Sequence, residues 1–260
     1  DLIDFPEWGA EGYVYLLKYN GTKIWGPVAI PGGGRGGAPT IADFDGDGKP
    51  EIGVAGASRY VVFKSNGSIL WQSIVQDYSS HLTGSSVFDF DGDGEAEVVY
   101  NDELYLRVYK GRNGQVLFST SNTSGTLTEY PIIVDLDNDN RAEIVVGANN
   151  FYTGGAIYGL RVFEDRNDNW VNTRKIWNQH TYHITNVNDN GTIPKYEQNN
   201  WEIYNNYRCN SLLPEQVLRT ADITVSYITI DQTNYPTSVT VSARIGNGGA
   251  VSQIAGVDVA

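Results

Sequence analysis

The chain has 260 residues, of which 40% are hydrophobic, and it contains 17 Tyr, 6 Trp and 29 Gly. This composition is typical of a globular β protein with many tight turns and excludes a disordered chain. The formal net charge of −13 argues against nucleic acid as a partner, because phosphate binding requires a basic surface. No apolar run reaches the roughly 18 residues of a membrane helix, so we predict no membrane span.

The chain has a single cysteine, Cys209, so no disulfide can form within it. We expect a free, buried thiol, and a bridge to a segment outside these residues is the alternative. The sequence begins with Asp1 and contains no Met, which indicates the interior of a longer, processed polypeptide.

In chain order, the first repeated feature is a run of β-branched and aromatic residues followed by an Asn-Gly pair. Asn-Gly strongly indicates a hairpin, because both turn positions tolerate positive φ. The pairs begin at Asn20, Asn66 and Asn113, at spacings of 46 and 47 residues. The matching segments are YVYLLKYNGTKIW (Tyr13–Trp25), YVVFKSNGSILW (Tyr60–Trp71) and LYLRVYKGRNGQVLF (Leu104–Phe118). A looser fourth copy runs from Ile157 through an Asp168-Asn169 turn to Trp177.

An acidic nine-residue loop alternates with these hairpins and occurs three times at a constant spacing of 46 residues. Its copies are DFDGDGKPE from Asp43, DFDGDGEAE from Asp89 and DLDNDNRAE from Asp135. Each copy has carboxylates at positions 1, 3, 5 and 9, which repel one another unless a cation lies between them. Hard oxygen ligands on a short loop suit Ca²⁺, which takes about 6–8 oxygens. The loops therefore predict about three calcium sites.

The acidic loops lie between two further apolar runs, such as PTIADFD before and EIGVAG after the first loop. The acidic loop would join the first strand of a unit to the second, and the Asn-Gly turn the third to the fourth. Four strands in about 46 residues is typical of a β-propeller blade. An EF-hand is excluded, because it needs helical flanks and a Glu at position 12, where this chain has Val54, Tyr100 or Val146.

On these motifs, residues 1–208 resemble the FG-GAP or VCBS-type repeats of integrin α-like calcium-binding propellers, with a close match in APTIADFDGDGKPEIGVAG (Ala38–Gly56). The resemblance implies calcium ligation by the acids at positions 1, 3, 5 and 9 and by the backbone carbonyl of position 7. The implied ligands are Asp43, Asp45, Asp47, Lys49 and Glu51; Asp89, Asp91, Asp93, Glu95 and Glu97; and Asp135, Asp137, Asp139, Arg141 and Glu143.

Integrin-like propellers usually have seven blades, and about four are visible in this sequence. The remaining blades would lie in missing sequence or come from a partner, or the assembly is smaller or open. The third loop has Asn138 and Asn140 where the others have Gly. Asn tolerates the left-handed conformation, so we expect this site to be kept. A fourth segment, NVNDNGTIP from Asn186, has only amides at positions 1, 3 and 5, and we predict a turn there.

From Asp222 the sequence resembles the opening strands of a CARDB-type immunoglobulin-like domain, after a linker at residues 209–221. Val239, Val241, Ala243 and Ile245 alternate onto one face, and a Gly-Asn-Gly-Gly turn follows. An immunoglobulin-like sandwich needs about 100 residues, so residues 222–260 would form only its N-terminal part. The predicted fold class is therefore all-β: a β-propeller plus a partial immunoglobulin-like β-sandwich.

The sequence has no nucleophile elbow, Walker loop or dinucleotide fingerprint, so we do not expect an enzyme. His180 and His183 lie three residues apart without the Glu of a zincin motif, and we expect a structural role for them. Trp25, Trp71, Phe118 and Trp177 occupy equivalent hairpin positions and should lie in blade cores. Other aromatic residues fall outside that register, and for these core packing is favoured over stacking on a sugar ring: Trp8, Trp170, Trp201, Tyr204 and Tyr207.

These features predict a calcium-stabilised extracellular adhesion or assembly module of a larger surface or secreted protein. Its partners would be other proteins or surface glycans bound through propeller loops, and a structural role is favoured for the calcium. One alternative is a lectin-like, glycan-binding module of a polysaccharide-degrading protein. Another is a filament subunit that self-assembles by strand donation.

Overall fold

The computed structural model describes residues 2–4, 11–125, 128–151, 154, 156–213, 216, 223–231, 233, 237–238 and 240–247. The sequence predictions at Trp8, at Val239 and at Gly248-Gly249 of the C-terminal turn lie outside these residues. No helix in the described ranges is long and apolar enough to cross a membrane.

The described residues fold almost entirely into short β-strands. The strands are β1 (Leu2–Asp4), β2 (Tyr13–Leu17), β3 (Lys23–Ala29), β4 (Thr40–Ala42), β5 (Glu51–Ala55), β6 (Arg59–Phe63), β7 (Ile69–Ile74), β8 (Ser85–Phe88), β9 (Glu97–Asn101), β10 (Tyr105–Tyr109), β11 (Val116–Ser121), β12 (Ile132–Val134), β13 (Glu143–Ala148), β14 (Gly159–Phe163), β15 (Ile223–Asp231) and β16 (Thr240–Asn247). A 3₁₀ turn at Ile184–Asn186 and a one-turn helix, α1 (Asn200–Ile203), follow the fourteenth strand.

The strands form a series of antiparallel sheets that follow the repeat. Two complete four-stranded sheets have the orders β4-β5-β6-β7 and β8-β9-β10-β11. A three-stranded sheet, β1-β2-β3, precedes them, and another, β12-β13-β14, follows. The acidic loop joins the first strand to the second and the Asn-Gly turn joins the third to the fourth, as the sequence predicts. The described part of the chain is therefore nearly all-β and propeller-like, with four consecutive blades of which the two central ones are complete.

The fourth blade differs from the sequence prediction. A turn is present, since the N–H of Asp168 donates to the carbonyl of Asp165 over 3.1 Å. However, no strand follows this turn in the described residues up to Trp177, so the predicted fourth hairpin is wrong. Instead of an alternating run, residues 164–176 contain several Asp, Asn and Arg residues, whose side chains bond to nearby backbone groups and compete with a strand ladder.

The Asn-Gly turns share one hydrogen-bonding pattern. The side-chain oxygen of Asn20 accepts from the N–H of Thr22, and that of Asn66 accepts from the N–H of Ser68. Gly21 and Gly67 adopt positive φ at the second turn position. The same pattern recurs at Asn190, whose side chain accepts from the N–H of Thr192. The segment from Asn186 thus contains the predicted turn.

The hydrophobic core lies between blades. One cluster joins the first two blades and includes Val14, Ile52 and Phe63. A second joins the second and third blades and includes Tyr60, Trp71 and Tyr109. A third joins the third and fourth blades and includes Phe88, Ile133 and Ile144. This face-to-face packing lets each blade bury the apolar surface of its neighbour.

The aromatic residues at equivalent hairpin positions pack as predicted in three blades. Trp71 is 7% exposed and lies in the core between the second and third blades. Trp25 and Phe118 are half-buried against the first and third inter-blade cores. Trp177 is the exception: it packs on Tyr182, with ring centroids 4.2 Å apart, in a separate cluster outside the blades. Because no fourth hairpin forms, its position is not equivalent to the others.

A segment after the blades runs along their innermost strands; we call Tyr207–Ser211 the crossing segment. Tyr207 and Ile41 of β4 form an antiparallel bridge, and Cys209 and Val87 of β8 form a parallel one. The side chain of Asn210 donates to the carbonyl of Ile133 in β12 over 2.9 Å. Three inner strands, related by the 46-residue repeat, are thus bound by one short segment. Cys209 is free and buried, which confirms that prediction.

The C-terminal strands form a separate two-stranded antiparallel sheet. β15 pairs with β16 in a register that places Ile223 opposite Asn247 and Asp231 opposite Thr240, with one irregularity between Ser226 and Thr229. A long hairpin agrees with the alternating pattern of the sequence, while the immunoglobulin-like domain itself stays a prediction, as do the proposed domain boundaries.

Candidate metal centres

Each acidic loop is the connection of a tight strand pair. Its last residue, Glu51, Glu97 or Glu143, is also the first residue of the second strand. The register places Ala42 opposite Glu51, Phe88 opposite Glu97 and Val134 opposite Glu143. The strand ladder therefore holds positions 1 and 9 of every loop next to each other.

The fourth and sixth loop positions require the left-handed region. Gly46 and Gly48 have φ of 72° and 80°, and Gly92 and Gly94 have 71° and 94°. In the third loop Asn138 and Asn140 adopt the same conformation, with φ of 71° and 68°. Asn tolerates this region better than other non-Gly residues, so the third loop keeps the shape of the first two, as predicted.

The carboxylate at position 1 organises the turn of the loop. Asp43 accepts hydrogen bonds from the N–H groups of Gly46 and Gly48, each 2.7 Å long. Asp89 accepts from the N–H groups of Asp93 (3.0 Å) and Gly94 (2.9 Å). In the third loop, Asp135 accepts from the N–H of Asn138 over 2.8 Å. These backbone bonds turn the loop inward around one carboxylate.

Three carboxylates meet in each loop, and they come from positions 1, 3 and 9. In each group the facing oxygens all lie within 4.8 Å of one another; the groups are Asp43, Asp45 and Glu51; Asp89, Asp91 and Glu97; and Asp135, Asp137 and Glu143. Such spacing brings three anionic oxygens close enough to share one cation. The structure therefore brings together nine of the predicted ligands.

The other predicted ligands are the acids at position 5 and the backbone carbonyls of position 7. The acids at position 5 are outside the three clusters, and each accepts a hydrogen bond from the N–H of position 7: Asp47 from Lys49 (2.9 Å), Asp93 from Glu95 (2.8 Å) and Asp139 from Arg141 (2.7 Å). Position 5 thus fixes the backbone of position 7, whose carbonyl is the other predicted ligand.

Burial and mutual repulsion raise the pKa of several of these carboxyl groups. The pKa of Glu51 and Glu143 is raised to about 7, that of Glu97 to about 9 and that of Asp89 to about 6, and burial is the largest cause in each case. Repulsion from the neighbouring acids of the same loop contributes to each of these rises. Crowded, buried carboxylates of this kind are held ionised by a bound cation.

Two observations show that a small cation fits these groups. Oδ1 of Asp45 and Oδ2 of Asp135 are buried without a hydrogen-bond partner, although both belong to the clusters. Lysine ammonium groups approach the same two residues: Lys64 lies 2.7 Å from Asp45, and Lys175 lies 3.7 Å from Asp135. The donor set is made of hard oxygens only, which suits Ca²⁺ rather than a softer metal.

Together, the propeller-like blades and the three equivalent carboxylate clusters define a β-repeat protein with an acidic loop in three of its blades. A family model described as FG-GAP-like repeat matches residues 7–54 and 89–146. These two ranges of the chain are therefore similar to FG-GAP-like repeats.

Among solved structures, the biofilm matrix protein Bap1 of V. cholerae is similar to the chain, with 32% sequence identity and a TM-score of 0.60. The alignment covers 63% of this chain and 28% of Bap1, so the chain spans less than a third of that protein. A protein of unknown function from Bacteroides caccae aligns with 12% identity and a TM-score of 0.35, over 78% of this chain and 80% of that one. This TM-score is too low to indicate a shared fold. No curated protein matches the sequence.

Sequence reasoning missed a second candidate site, a cleft next to the crossing segment. It includes Trp201, for which core packing was expected and is wrong: the side chain is 67% exposed. Trp201 lies on the one-turn helix α1, away from the inter-blade cores, so no neighbouring sheet covers it. For Trp170 and Tyr204 the expectation is confirmed, since both pack against buried clusters. The sequence feature that could have indicated this cleft is Trp201 itself, an aromatic residue outside the hairpin register and within an Asn-rich stretch.

Proposed function

We propose that the chain is a calcium-stabilised adhesion or assembly module of an extracellular protein. The observation that carries this proposal is the threefold repetition of one carboxylate cluster at the same place in three consecutive blades. A single catalytic site would not be repeated in this way, whereas a structural ion is needed once per blade. The module would thus be non-catalytic.

In this proposal the calcium ion supplies positive charge that relieves the repulsion between loop carboxylates. Positions 1, 3 and 9 of each loop would hold it directly, for example Asp89, Asp91 and Glu97. The acid at position 5 would add a ligand or hold the carbonyl of position 7 in place. Because the glutamate at position 9 begins the next strand, ion binding would fix the loop to the sheet.

The similarity to a biofilm matrix protein supports an extracellular setting. Calcium outside cells is present at high concentration, and repeat sites of modest affinity can be filled there. The partners would be proteins or glycans of the extracellular matrix, bound through the loops that connect the blades. Strands β15 and β16 would open a CARDB-type immunoglobulin-like domain that serves as a spacer or a joint for assembly.

Calcium titration of the chelator-stripped chain by isothermal calorimetry tests the calcium part of this proposal. We expect about three ions per chain, one for each cluster. Asp45→Asn should remove one ion, whereas Asp168→Asn, at an exposed position outside the loops, should remove none. Three bound ions in the Asp45→Asn variant, or none in the wild type, would contradict the proposed sites.

Cosedimentation with cell-free extracellular matrix, in calcium and in excess chelator, tests the adhesion part. We expect the folded, calcium-loaded chain to sediment with the matrix and to be released by chelator. A chain that is folded and calcium-loaded but stays in the supernatant would show that it is not an adhesion module for that matrix.

A further inference from the structure

The cleft next to the crossing segment has a volume of about 420 Å³ and combines an aromatic wall with polar atoms. Its apolar side is formed by Pro39, Ile41, Trp201 and Tyr207. Its polar side is formed by the four residues His183, Asn200, Asn205 and Asn206. Neither Lys, Arg, Asp nor Glu belongs to this described lining.

Three polar atoms of the lining are buried without a hydrogen-bond partner: Nδ1 of His183, Oδ1 of Asn200 and Oδ1 of Asn206. Asn200 is only 7% exposed, and its amide nitrogen is already used, since it donates to the carbonyl of Asn206. Buried polar groups in proteins nearly always have a partner, so three unpaired atoms around one cleft require an explanation.

All three unpaired atoms are hydrogen-bond acceptors. The side-chain oxygens of Asn200 and Asn206 can only accept. Nε2 of His183 bonds to the carboxylate of Glu197, and in the tautomer in which Nε2 alone carries the proton, Nδ1 presents a lone pair. A ligand that satisfies the cleft must therefore supply several donors at neutral groups, as adjacent hydroxyls do.

The aromatic side of the cleft is fixed as well as exposed. Tyr207 and Ile41 exchange two backbone hydrogen bonds, of 2.8 and 3.2 Å, which attach one wall to the inner strand β4. Trp201 stands on α1 with 67% of its surface accessible, so a flat apolar face lies next to the acceptors. A pyranose ring offers this combination, because it has C–H faces and a rim of hydroxyls.

Two other ligand classes fit less well. An anion would meet acceptor atoms and no cationic side chain in the described lining. An ammonium group would find acceptors and an aromatic face, but the described residues of the lining include no carboxylate, and Glu197, which contacts the lining, is bonded to His183. A desolvated ammonium without a counter-charge is costly, so a neutral ligand is favoured.

We propose that this cleft binds a neutral saccharide, with Trp201 as the stacking platform and His183, Asn200 and Asn206 as acceptors for ring hydroxyls. This proposal rests on the proposed function and gives it a ligand class. It places the stacking platform and the three acceptors on the segment after the fourth blade, far in sequence from every acidic loop.

Calorimetric titration of the full, calcium-loaded chain with neutral oligosaccharides of glucose, mannose, galactose and N-acetylglucosamine tests the assignment. We expect at least one of these sugars to bind, and Trp201→Ala to weaken that binding by about tenfold or more. Tyr196→Ala is the matched control, because Tyr196 is an exposed aromatic residue outside this lining. The sugar affinity of the Tyr196→Ala variant should equal that of the wild type.

A second variant separates a binding role from a structural one. Asn206→Ala removes an acceptor that has no partner in the protein, so the melting temperature should not fall while sugar binding is lost. A lower melting temperature with unchanged binding would overturn the assignment.

Absence of binding to all four sugar classes would overturn the saccharide site, as would binding of n-butylamine in their place. In either case, a chain that still sediments with matrix in calcium would leave the proposed function intact. A chain that binds sugar but does not sediment with matrix would support the saccharide site and contradict the adhesion function.

Discussion

The carboxylate of Glu51 accepts a 2.9 Å hydrogen bond from the backbone N–H of Phe44, seven residues earlier in the chain. Glu97 makes the same bond to Phe90 over 3.1 Å, and Glu143 makes it to Leu136 over 2.6 Å. One oxygen of each glutamate thus closes its loop, and the carboxylate also joins the cation cluster. The glutamate at position 9 therefore links the shape of the loop to its charge.

This double role predicts that replacing Glu97 by Gln has opposite effects on stability in chelator and in calcium. Gln at position 97 keeps an oxygen for the N–H of Phe90 but removes the buried ionisable group. In chelator, Glu97→Gln should raise the free energy of unfolding by about 1–3 kcal/mol at pH 8, because Glu97, whose folded pKa is about 9, must take up a proton on folding whereas Gln is already neutral. In saturating calcium it should lower the calcium-induced stabilisation, because a charged ligand is lost.

Urea unfolding with and without calcium measures both effects. Glu164→Gln, at an exposed acid outside the acidic loops, is the control and should change neither value by more than about 0.5 kcal/mol. A fall in stability in both conditions would mean that Glu97 supports the fold without contributing to a cation site.

The raised pKa values of the loop acids predict a pH dependence of the chelated chain. A carboxyl group whose pKa is raised in the folded state stabilises the fold below its unfolded value, near pH 4.5, and loses that contribution as the pH rises through the folded value. For Glu51 and Glu143 the folded value is about 7, and for Glu97 it is about 9. The chelated chain should therefore melt at progressively lower temperature between pH 5.5 and pH 9.

Calcium should reverse this trend, because the ion binds the ionised carboxylates and competes with protons. The stabilisation by calcium should consequently grow with pH over the same range. Thermal melts at several pH values, in chelator and in calcium, measure the difference. A chelated chain whose melting temperature rises with pH would contradict the assignment of buried, uncompensated acids.

The thiol of Cys209 should be unreactive in the folded chain. It lies in the crossing segment, buried next to β8, and burial raises its pKa to about 11. Since the thiolate is the reactive form, Ellman's reagent at pH 8 should modify the native chain very slowly and the guanidinium-unfolded chain at once. Rapid modification of the native chain would show that the crossing segment leaves the inner strands.

The inter-blade tryptophans should contribute much more to stability than the tryptophan of the cleft. The indole of Trp71 donates to the carbonyl of Gly111 and lies over Gly114 of the next hairpin, so Trp71→Ala should cost about 3–5 kcal/mol. Trp201→Ala should cost less than about 0.5 kcal/mol, because its side chain is exposed. Urea unfolding compares the two variants, and equal costs would contradict the inter-blade role.

The blades and the acidic loops were predictable because their signals are local. An Asn-Gly pair fixes its own turn, and the spacing of Asp43, Asp45 and Glu51 fixes which oxygens can meet once the flanking strands pair. The exposed position of Leu136, which corresponds to the buried Phe44 and Phe90, could not be predicted, because it depends on which surface packs on the third loop. Residues at the same position of the repeat thus differ in burial.

The crossing segment and the cleft could not be predicted, because they depend on contacts between distant residues. Nothing in the local pattern at Tyr207 indicates that it pairs with Ile41, and the exposure of Trp201 follows from that tertiary placement. Similarly, the missing fourth hairpin reflects side chains such as Asp165, which bonds to the backbone of Asn167 and Asn169 instead of entering a ladder.

The crossing segment also determines how mechanical force would travel through the molecule. A pull on the chain beyond Ser211 is resisted by bonds of the crossing segment to β4, β8 and β12, which belong to three different blades. The load is therefore divided among three sheets at their innermost edges and does not peel one outer strand at a time. A module built in this way would hold under shear flow until several blades yield together.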